Sequence, residues 1–126
     1  MIPLKRMARL MKILIADDND RMRQLLRSLC ASSADTVIEC GDGSAAVAAF
    51  EAHQPDWAIL DLAMPVLGGF EALKQIRRLS PAARVVIVTN HCDQSYRDRA
   101  HQLGATHFLS KEDLLRLPEL LRPPGT

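Results

Sequence analysis

The sequence predicts a doubly wound α/β fold, in which a five-stranded parallel sheet lies between two layers of helices. Short apolar runs alternate with helix-like segments along the whole chain. Runs such as "ILIA" at 13–16 and "VVIVT" at 85–89 do not alternate polar and apolar residues, which is typical of strands covered on both faces. The length of 126 residues suits a single domain.

The first half of the chain contains three predicted strands and two predicted helices. The strands are Lys12–Ala16, Thr36–Glu39 and Trp57–Leu60, and the helices are 20–32 and Ser44–His53. Asn19 or Asp20 is suited to cap the first helix. The inward face of that helix is predicted from apolar residues at helical spacing, namely Met22, Leu25, Leu26, Leu29 and Cys30.

The second half repeats the same alternation. Gly68 and Gly69 lead into a helix whose apolar residues are predicted to point inward: Phe70, Leu73, Ile76 and Leu79. The remaining elements follow in the order strand Arg84–Thr89, polar helix 93–103, strand Thr106–Leu109 and a last helical stretch from near Glu112. Pro118 is expected to break or restart that last stretch.

The composition predicts an aliphatic core, since hydrophobic residues make up 48% of the chain and aromatic residues only 4%. The formal charge of +1 lacks the basic excess of a DNA-binding domain, so no direct nucleic-acid partner is expected. The cysteines show no C-x-x-C spacing and are expected to be buried free thiols in a reducing compartment. The histidines show no metal-ligand spacing.

The N-terminus "MIPLKRMARLMK" is basic, but no apolar stretch of signal-peptide or membrane-span length follows it. A cytoplasmic location without membrane contact is therefore expected. Residues 1–10 are expected to be a loose extension or a mis-set start, 11–121 the folded domain and 122–126 a short tail.

Charged and hydroxyl side chains gather where the predicted strands end. Asp17 and Asp18 follow the first strand, Asp61 the third, Thr89 closes the fourth, and Lys111 comes just after the fifth. Ligands of open α/β sheets bind at this edge. Two carboxylates about 5 Å apart repel by roughly 3 kcal/mol at an effective dielectric near 20, which favours recruitment of a cation such as Mg²⁺.

A carboxylate beside a divalent ion and a lysine can act as a nucleophile toward phosphorus. In the alternative interpretation, Asp17 and Asp18 merely cap the following helix. That interpretation leaves Asp61 and Lys111 unexplained.

Four stretches carry a family resemblance: "ILIADDN" (13–19), "ILDLAMPVLGGFEAL" (59–73), "VVIVTN" (85–90) and "LGATHFLSK" (103–111). Through their order and spacing, the chain resembles a response-regulator receiver domain of bacterial two-component signalling over residues 11–121. The resemblance implies a flavodoxin-like sheet with the strand order 2-1-3-4-5.

The resemblance also implies roles at the acidic edge, together with Mg²⁺ or Mn²⁺ as the bound ion. Asp61 matches the phosphoacceptor, which also contacts the metal. Asp18 matches the direct metal ligand, and Asp17 matches the acidic neighbour that often holds the metal through water. Ala63 lies where the family offers a backbone carbonyl to the metal.

Three further residues match the part of the family site that responds to the phosphoryl group. Thr89 matches the hydroxyl that reorients toward it, Lys111 the lysine that pairs with it, and Phe108 the aromatic switch position. Thr89 read alone is also an ordinary β-branched strand residue, and Phe108 is a core residue under either interpretation.

Two residues depart from the usual family pattern. Asn90 replaces a small residue after the threonine, and Glu112 replaces a proline whose peptide bond is cis, so the bond before Glu112 is expected to be trans. Both residues are expected to modulate phosphorylation. Ala63 and His91 flank the expected entry of attacking water and should influence the phosphoryl lifetime.

The expected function is a switch that accepts a phosphoryl group from a histidine kinase or a phosphotransfer protein and then binds an unknown output protein. Helix 93–103 has few inward residues and is expected to be the moving element. The chain is expected to be a stand-alone receiver if complete, and a missing DNA-binding part is the alternative if it is a fragment.

The main alternative function is a receiver-like interaction module that never uses its phosphoacceptor, for which Asn90 and Glu112 are the only support. An enzyme that acts on external substrates is disfavoured. Phosphatases with an aspartate nucleophile typically carry a second Asp two residues later, where this chain has Ala63.

Overall fold

The computed structural model describes residues 11–121 and contains one five-stranded parallel sheet in the order β2-β1-β3-β4-β5. The strands are β1 (Lys12–Ala16), β2 (Thr36–Cys40), β3 (Trp57–Asp61), β4 (Arg84–Thr89) and β5 (His107–Ser110). The predicted fold class and strand order are therefore confirmed. The expectations for 1–10 and 122–126 lie outside the described residues.

The helices are α1 (Asp20–Cys30), α2 (Gly43–His53), α3 (Gly69–Leu79), α4 (Gln94–Gln102) and α5 (Leu117–Leu120), with a 3₁₀ segment at Lys111–Arg116 before α5. Pro118 lies in the first turn of α5 and restarts the helix there, as predicted. Among the described residues, no helix is long and apolar enough to cross a membrane.

The core consists of two apolar layers, one on each face of the sheet. Ile13 and Ile15 of β1 pack with α1 and α5, whereas Leu14 and Ala16 pack with α2, α3 and α4. Successive side chains of a strand point to opposite faces. Since both faces are covered, the run "ILIA" has no polar position, which explains the pattern read from the sequence.

Side-chain caps lie at the starts of α1 and α2, and the cap of α1 agrees with the prediction. Asn19 caps α1 by accepting a hydrogen bond from the Met22 amide at 2.9 Å. Asp42 caps α2 in the same way, with the Ala45 amide as the donor at 2.7 Å. These caps place α1 and α2 directly after the strands that they follow.

The prediction that Leu25 and Leu79 point inward is wrong, since both side chains are exposed. A helix turns by about 100° per residue, so each step of three residues drifts by about 60° around the axis. Leu79 lies three such steps beyond Phe70 and has left the face that holds Leu73 and Ile76. Leu25 lies at the edge of the buried stripe of α1.

The three cysteines are free thiols, and two of them, Cys30 and Cys40, are buried as expected. Burial raises the pKa of Cys30 to about 12. Cys92 is half-buried on the loop before α4.

Arg77, in the last turn of α3, joins three parts of the chain through main-chain carbonyls. It donates to the carbonyl oxygens of Pro81 at 2.9 Å, Ala83 at 2.5 Å and Gly104. Gly104 has a φ of 87°, a left-handed conformation that favours glycine. Arg77 therefore ties α3 to the turn before β4 and to the turn after α4.

Replacing Arg77 by Ala should lower the free energy of unfolding by about 1–3 kcal/mol, because the carbonyl groups lose a charged donor. Arg78→Ala is the matched control, since Arg78 is the exposed neighbour on the same helix, and its effect should stay within about 0.5 kcal/mol. Urea unfolding of the two variants measures the difference. Equal stabilities would contradict the role given to Arg77.

Candidate functional site

The carboxyl ends of the strands form the candidate site. Asp17 directly follows β1, Asp61 is the last residue of β3, and Thr89 is the last residue of β4. Lys111 follows β5, whose final residue, Ser110, pairs with Thr89. β2 pairs with one edge of β1, and β3 pairs with the other edge. The ends of β1 and β3 therefore lie side by side and bring Asp17 and Asp61 together.

Three carboxylates meet at this edge. Asp17, Asp18 and Asp61 each place one carboxylate oxygen so that all three oxygens lie within 4.8 Å of one another. Asp17 and Asp61 are buried, whereas Asp18 is exposed and faces solvent. The structure thus brings together the three acids selected from the sequence, in an arrangement suited to a hard cation with oxygen ligands.

Lys111 supplies positive charge to this cluster. Its Nζ atom lies 3.0 Å from Oδ2 of Asp17 and 3.4 Å from Oδ1 of Asp61, and its side chain is only 11% exposed. One ammonium group faces three carboxylates, so the cluster keeps an excess of negative charge. The described residues around it therefore favour a further cation.

Asp17 is the most buried of the three acids. Its Oδ1 atom accepts a hydrogen bond from the Asn19 amide at 2.9 Å, and its own amide donates to the carbonyl of Cys40 at 3.1 Å. Its Oδ2 atom is buried and accepts no hydrogen bond from the described residues, although Lys111 lies beside it as an ion-pair partner. Such an oxygen fits a metal, either directly or through bound water.

The pKa of Asp61 is raised above its ordinary value, chiefly by burial and then by the negative charge of Asp17. The charge and hydrogen bond of Lys111 oppose the shift, and Asp18 adds to it. Because the net shift is upward, the charged form of Asp61 is unfavourable in the native state relative to the unfolded chain.

Thr89 and Phe108 lie on the other side of the site and have other partners. The Thr89 hydroxyl is buried and accepts a hydrogen bond from the His91 amide at 3.0 Å. Phe108 is half-buried on β5, and the guanidinium of Arg97 covers its ring at 4.9 Å from the ring centre. Both side chains are therefore held by the segment that contains the loop after β4 and α4.

The remaining residues selected from the sequence are exposed around the site: Ala63, Asn90, His91 and Glu112. The His91 ring lies 5.4 Å from the ring of Tyr96, between ring centres. The Glu112 amide donates to the Ser110 hydroxyl at 3.1 Å. All described peptide bonds are trans, so the bond before Glu112 is trans as predicted.

Sequence reasoning missed two residues that shape the site, Arg23 and Gly69. Arg23 donates a hydrogen bond to the main-chain carbonyl of Asp17 at 2.6 Å. A Cβ atom on Gly69 would lie 2.2 Å from the carbonyl oxygen of Asp61, so α3 begins too close to β3 for any side chain there. The Gly68-Gly69 pair was a visible sign of close approach, whereas nothing in the sequence distinguished Arg23 from its neighbours.

The chain belongs to the response regulator receiver domain family, whose sequence profile matches residues 13–122. It is therefore a receiver domain of the kind found in two-component response regulators. Domains of this family bind Mg²⁺ at an acidic pocket and interact with kinases and with output proteins.

Known relatives include both short and longer proteins. The chemotaxis protein CheY of Bacillus subtilis is 33% identical over 101 residues, which cover 79% of this chain and 84% of that protein. The uncharacterized transcriptional regulatory protein YhcZ of the same organism is 33% identical over 104 residues, but this chain spans only 49% of its length.

A solved structure of similar architecture is the response regulator domain of Thermotoga maritima CheB. It is 31% identical with a TM-score of 0.76, and the match covers 89% of this chain and 91% of that chain.

Replacing Asp61 by Asn should raise the stability of the metal-free protein at pH 7. An acid whose pKa is raised in the folded state stabilises the fold while it is protonated, and this contribution is lost as the pH rises through the folded-state pKa. The advantage of Asp61→Asn should therefore shrink as the pH falls through the acid range. Urea unfolding at low ionic strength with a chelator, from pH 7 to pH 4, measures it.

Asp93→Asn is the control for that experiment, because Asp93 is exposed and makes no side-chain cap for α4. It removes the same charge outside the acidic cluster. An Asp61→Asn variant that is less stable than the wild type at pH 7 would contradict the prediction.

Proposed function

We propose that Asp61 accepts a phosphoryl group from a histidine kinase or a phosphotransfer protein, in a reaction that requires Mg²⁺ or Mn²⁺. The modified protein then binds an output protein. The observation that supports this function most directly is the cluster of Asp17, Asp18 and Asp61 within 4.8 Å, with the Lys111 ammonium 3.0 Å and 3.4 Å from two of the acids. Membership of the receiver family supports the same assignment.

The donor atoms around the cluster fit a hard divalent ion. Asp18 and Asp61 would be direct ligands, Asp17 would bind through water, and the backbone carbonyl of Ala63 would complete the protein ligands. The buried Oδ2 of Asp17, which accepts no hydrogen bond from the described residues, supports this fit. When bound, the ion would neutralise charge on the transferring phosphoryl group.

In the proposed transfer, a carboxylate oxygen of Asp61 attacks the phosphorus atom of a phosphohistidine. The bond between phosphorus and the imidazole nitrogen breaks, and the ring, which carries a proton on its other nitrogen, leaves with the electron pair as neutral imidazole. Lys111 is placed to pair with the phosphoryl oxygens, since its ammonium already lies beside Asp61. Positioning and charge neutralisation supply most of the catalysis in such transfers.

Thr89 would carry the signal from the phosphoryl group into the loop after β4. Its hydroxyl accepts a hydrogen bond from the His91 amide, and a turn toward the phosphoryl oxygens would break this bond. His91 contacts Tyr96 on α4, and Tyr96 stacks on Phe70 at 6.3 Å between ring centres. Release of His91 would therefore alter the packing of α4.

Helix α4 is suited to move because Ala100 is its only fully buried residue. The proposed partner surface consists of α4, β5 and α5, with Phe108 as the aromatic switch. Asn90, His91 and Glu112 would modulate the rate and lifetime of phosphorylation, since they are exposed next to the strand ends. No external substrate is proposed, so the protein would catalyse only its own phosphorylation and dephosphorylation.

Incubation with Mg²⁺ and acetyl phosphate should give a single phosphoryl adduct by intact-protein mass. The adduct should be absent without the metal and in Asp61→Asn, whereas Asp93→Asn should be modified like the wild type. Absence of any adduct over a range of times and donors would overturn the proposal and favour an interaction module that never uses Asp61.

Phosphorylation should also change hydrogen exchange within residues 89–121. The His91 amide should lose protection, because its acceptor on Thr89 turns away, and α4 should exchange faster. The amides of α2 are the internal control, since α2 lies away from β4 and β5. Unchanged protection throughout 89–121 in a fully phosphorylated sample would contradict the proposed path.

A further inference from the structure

The guanidinium of Arg23 lies behind the acidic cluster, on the side of α1 and β2. Its Nη1 atom donates to the main-chain carbonyl of Asp17 at 2.6 Å, and its Nη2 atom bonds to the Asp20 carboxylate. Its Nε atom lies 3.6 Å from the Glu39 carboxylate at the end of β2. The side chain is only 19% exposed, and its bond to the Asp17 carbonyl is partly buried, whereas the Asp20 carboxylate is 80% exposed.

These contacts fix the peptide that joins Asp17 to Asp18. The carbonyl of that peptide accepts from Arg23, while the Asp17 amide donates to Cys40 and the Asp17 carboxylate accepts from the Asn19 amide. The turn from β1 into α1 is thus held on both sides of Asp17. A rotation of this peptide would displace Asp18, which has no such anchors among its described contacts.

We propose that Arg23 is a positioning residue for the divalent ion. It holds the turn so that the carboxylates of Asp17 and Asp18 meet that of Asp61. This inference rests on the proposed metal-dependent function. The guanidinium fork bridges a carbonyl and carboxylates at fixed angles, which a lysine ammonium cannot reproduce.

Charge alone predicts the opposite result. A cation near an acidic site weakens the attraction of that site for Mg²⁺, so removal of the Arg23 charge should tighten binding if Arg23 acted only through its field. The Arg23→Lys variant, which keeps the charge, would then bind Mg²⁺ like the wild type. Positioning instead predicts weaker Mg²⁺ binding for both Arg23→Gln and Arg23→Lys. The two explanations therefore differ in sign for Arg23→Gln, and for Arg23→Lys they differ in whether the affinity changes at all.

Arg27 provides a matched control on the same helix. Its Nη1 atom lies 2.8 Å from the Glu39 carboxylate, so it shares one partner with Arg23. It lies one helical turn further from Asp17 and is more exposed. Loss of Arg27 removes a similar surface charge and leaves the anchored peptide in place.

The experiment is Mg²⁺ titration by calorimetry on wild type, Arg23→Gln, Arg23→Lys and Arg27→Gln, with folding checked by circular dichroism. Both Arg23 variants should bind Mg²⁺ about 10-fold or more weakly, the range typical for residues that orient metal ligands. Arg27→Gln should bind within about twofold of wild type. Arg23 variants that bind as tightly as wild type, or more tightly, would overturn the inference.

Two further readouts separate positioning from general damage. In the metal-free protein, residues 17–20 should exchange hydrogen faster in Arg23→Lys than in wild type, while β3 and β4 remain protected. At saturating Mg²⁺, the phosphorylation rate of Arg23→Lys should return to the wild-type value. A rate that stays low at saturating Mg²⁺ would contradict a role limited to placing the ion.

The design also separates this inference from the proposed function. Wild-type protein that binds no Mg²⁺ would overturn the metal-dependent function and this inference with it. Wild-type protein that binds Mg²⁺, with unchanged affinity in the Arg23 variants, would overturn this inference alone. If Arg23→Gln does not fold, Arg23→Lys decides the question, since it keeps the charge and most of the apolar stem.

Discussion

The excess of negative charge at one edge of the sheet is the constraint on which the rest of the site depends. Asp17 and Asp61 are buried, Asp18 completes the group at the surface, and Lys111 is the cation paired with the two buried acids. Such an arrangement costs stability in the absence of a further cation, as the raised pKa of Asp61 indicates. A bound cation would therefore stabilise the fold as well as the site.

The scaffold tolerates this cost because the strands beneath the site are covered on both faces. β1 and β3 are adjacent, and both are apolar up to the acids at their ends apart from Lys12 at the start of β1. Short-range contacts then fix the last residues of the strands. The Asp17 peptide is held by Cys40 and Arg23, and α3 begins against the Asp61 carbonyl because Gly69 has no side chain.

The other side of the site consists of the end of β4, the loop after it and α4. The loop after β4 is held by the bond from the His91 amide to the Thr89 hydroxyl, by the Cys92 thiol, which donates to the Thr89 carbonyl, and by Arg97, which donates to the Cys92 carbonyl. Helix α4 buries little beyond Ala100. The far end of α4 is tied by Arg77, which binds the carbonyl of Gly104 in the turn that follows α4. The end of α4 nearer the site has no side-chain cap. This asymmetry favours a larger movement at the end of α4 nearer the site than at its far end.

The sequence by itself determined the order of strands and helices and, to within one residue, where each strand ends. Apolar runs and helical spacing report whether a segment is buried on one face or two, which is a local property. Only the tertiary structure decided that Leu25 and Leu79 are exposed, that the Thr89 hydroxyl is engaged by His91, and that Arg23 reaches the Asp17 carbonyl. These features depend on how far the sheet extends beneath each helix and on which groups meet across turns. Neither can be read from the periodicity of apolar residues along the chain.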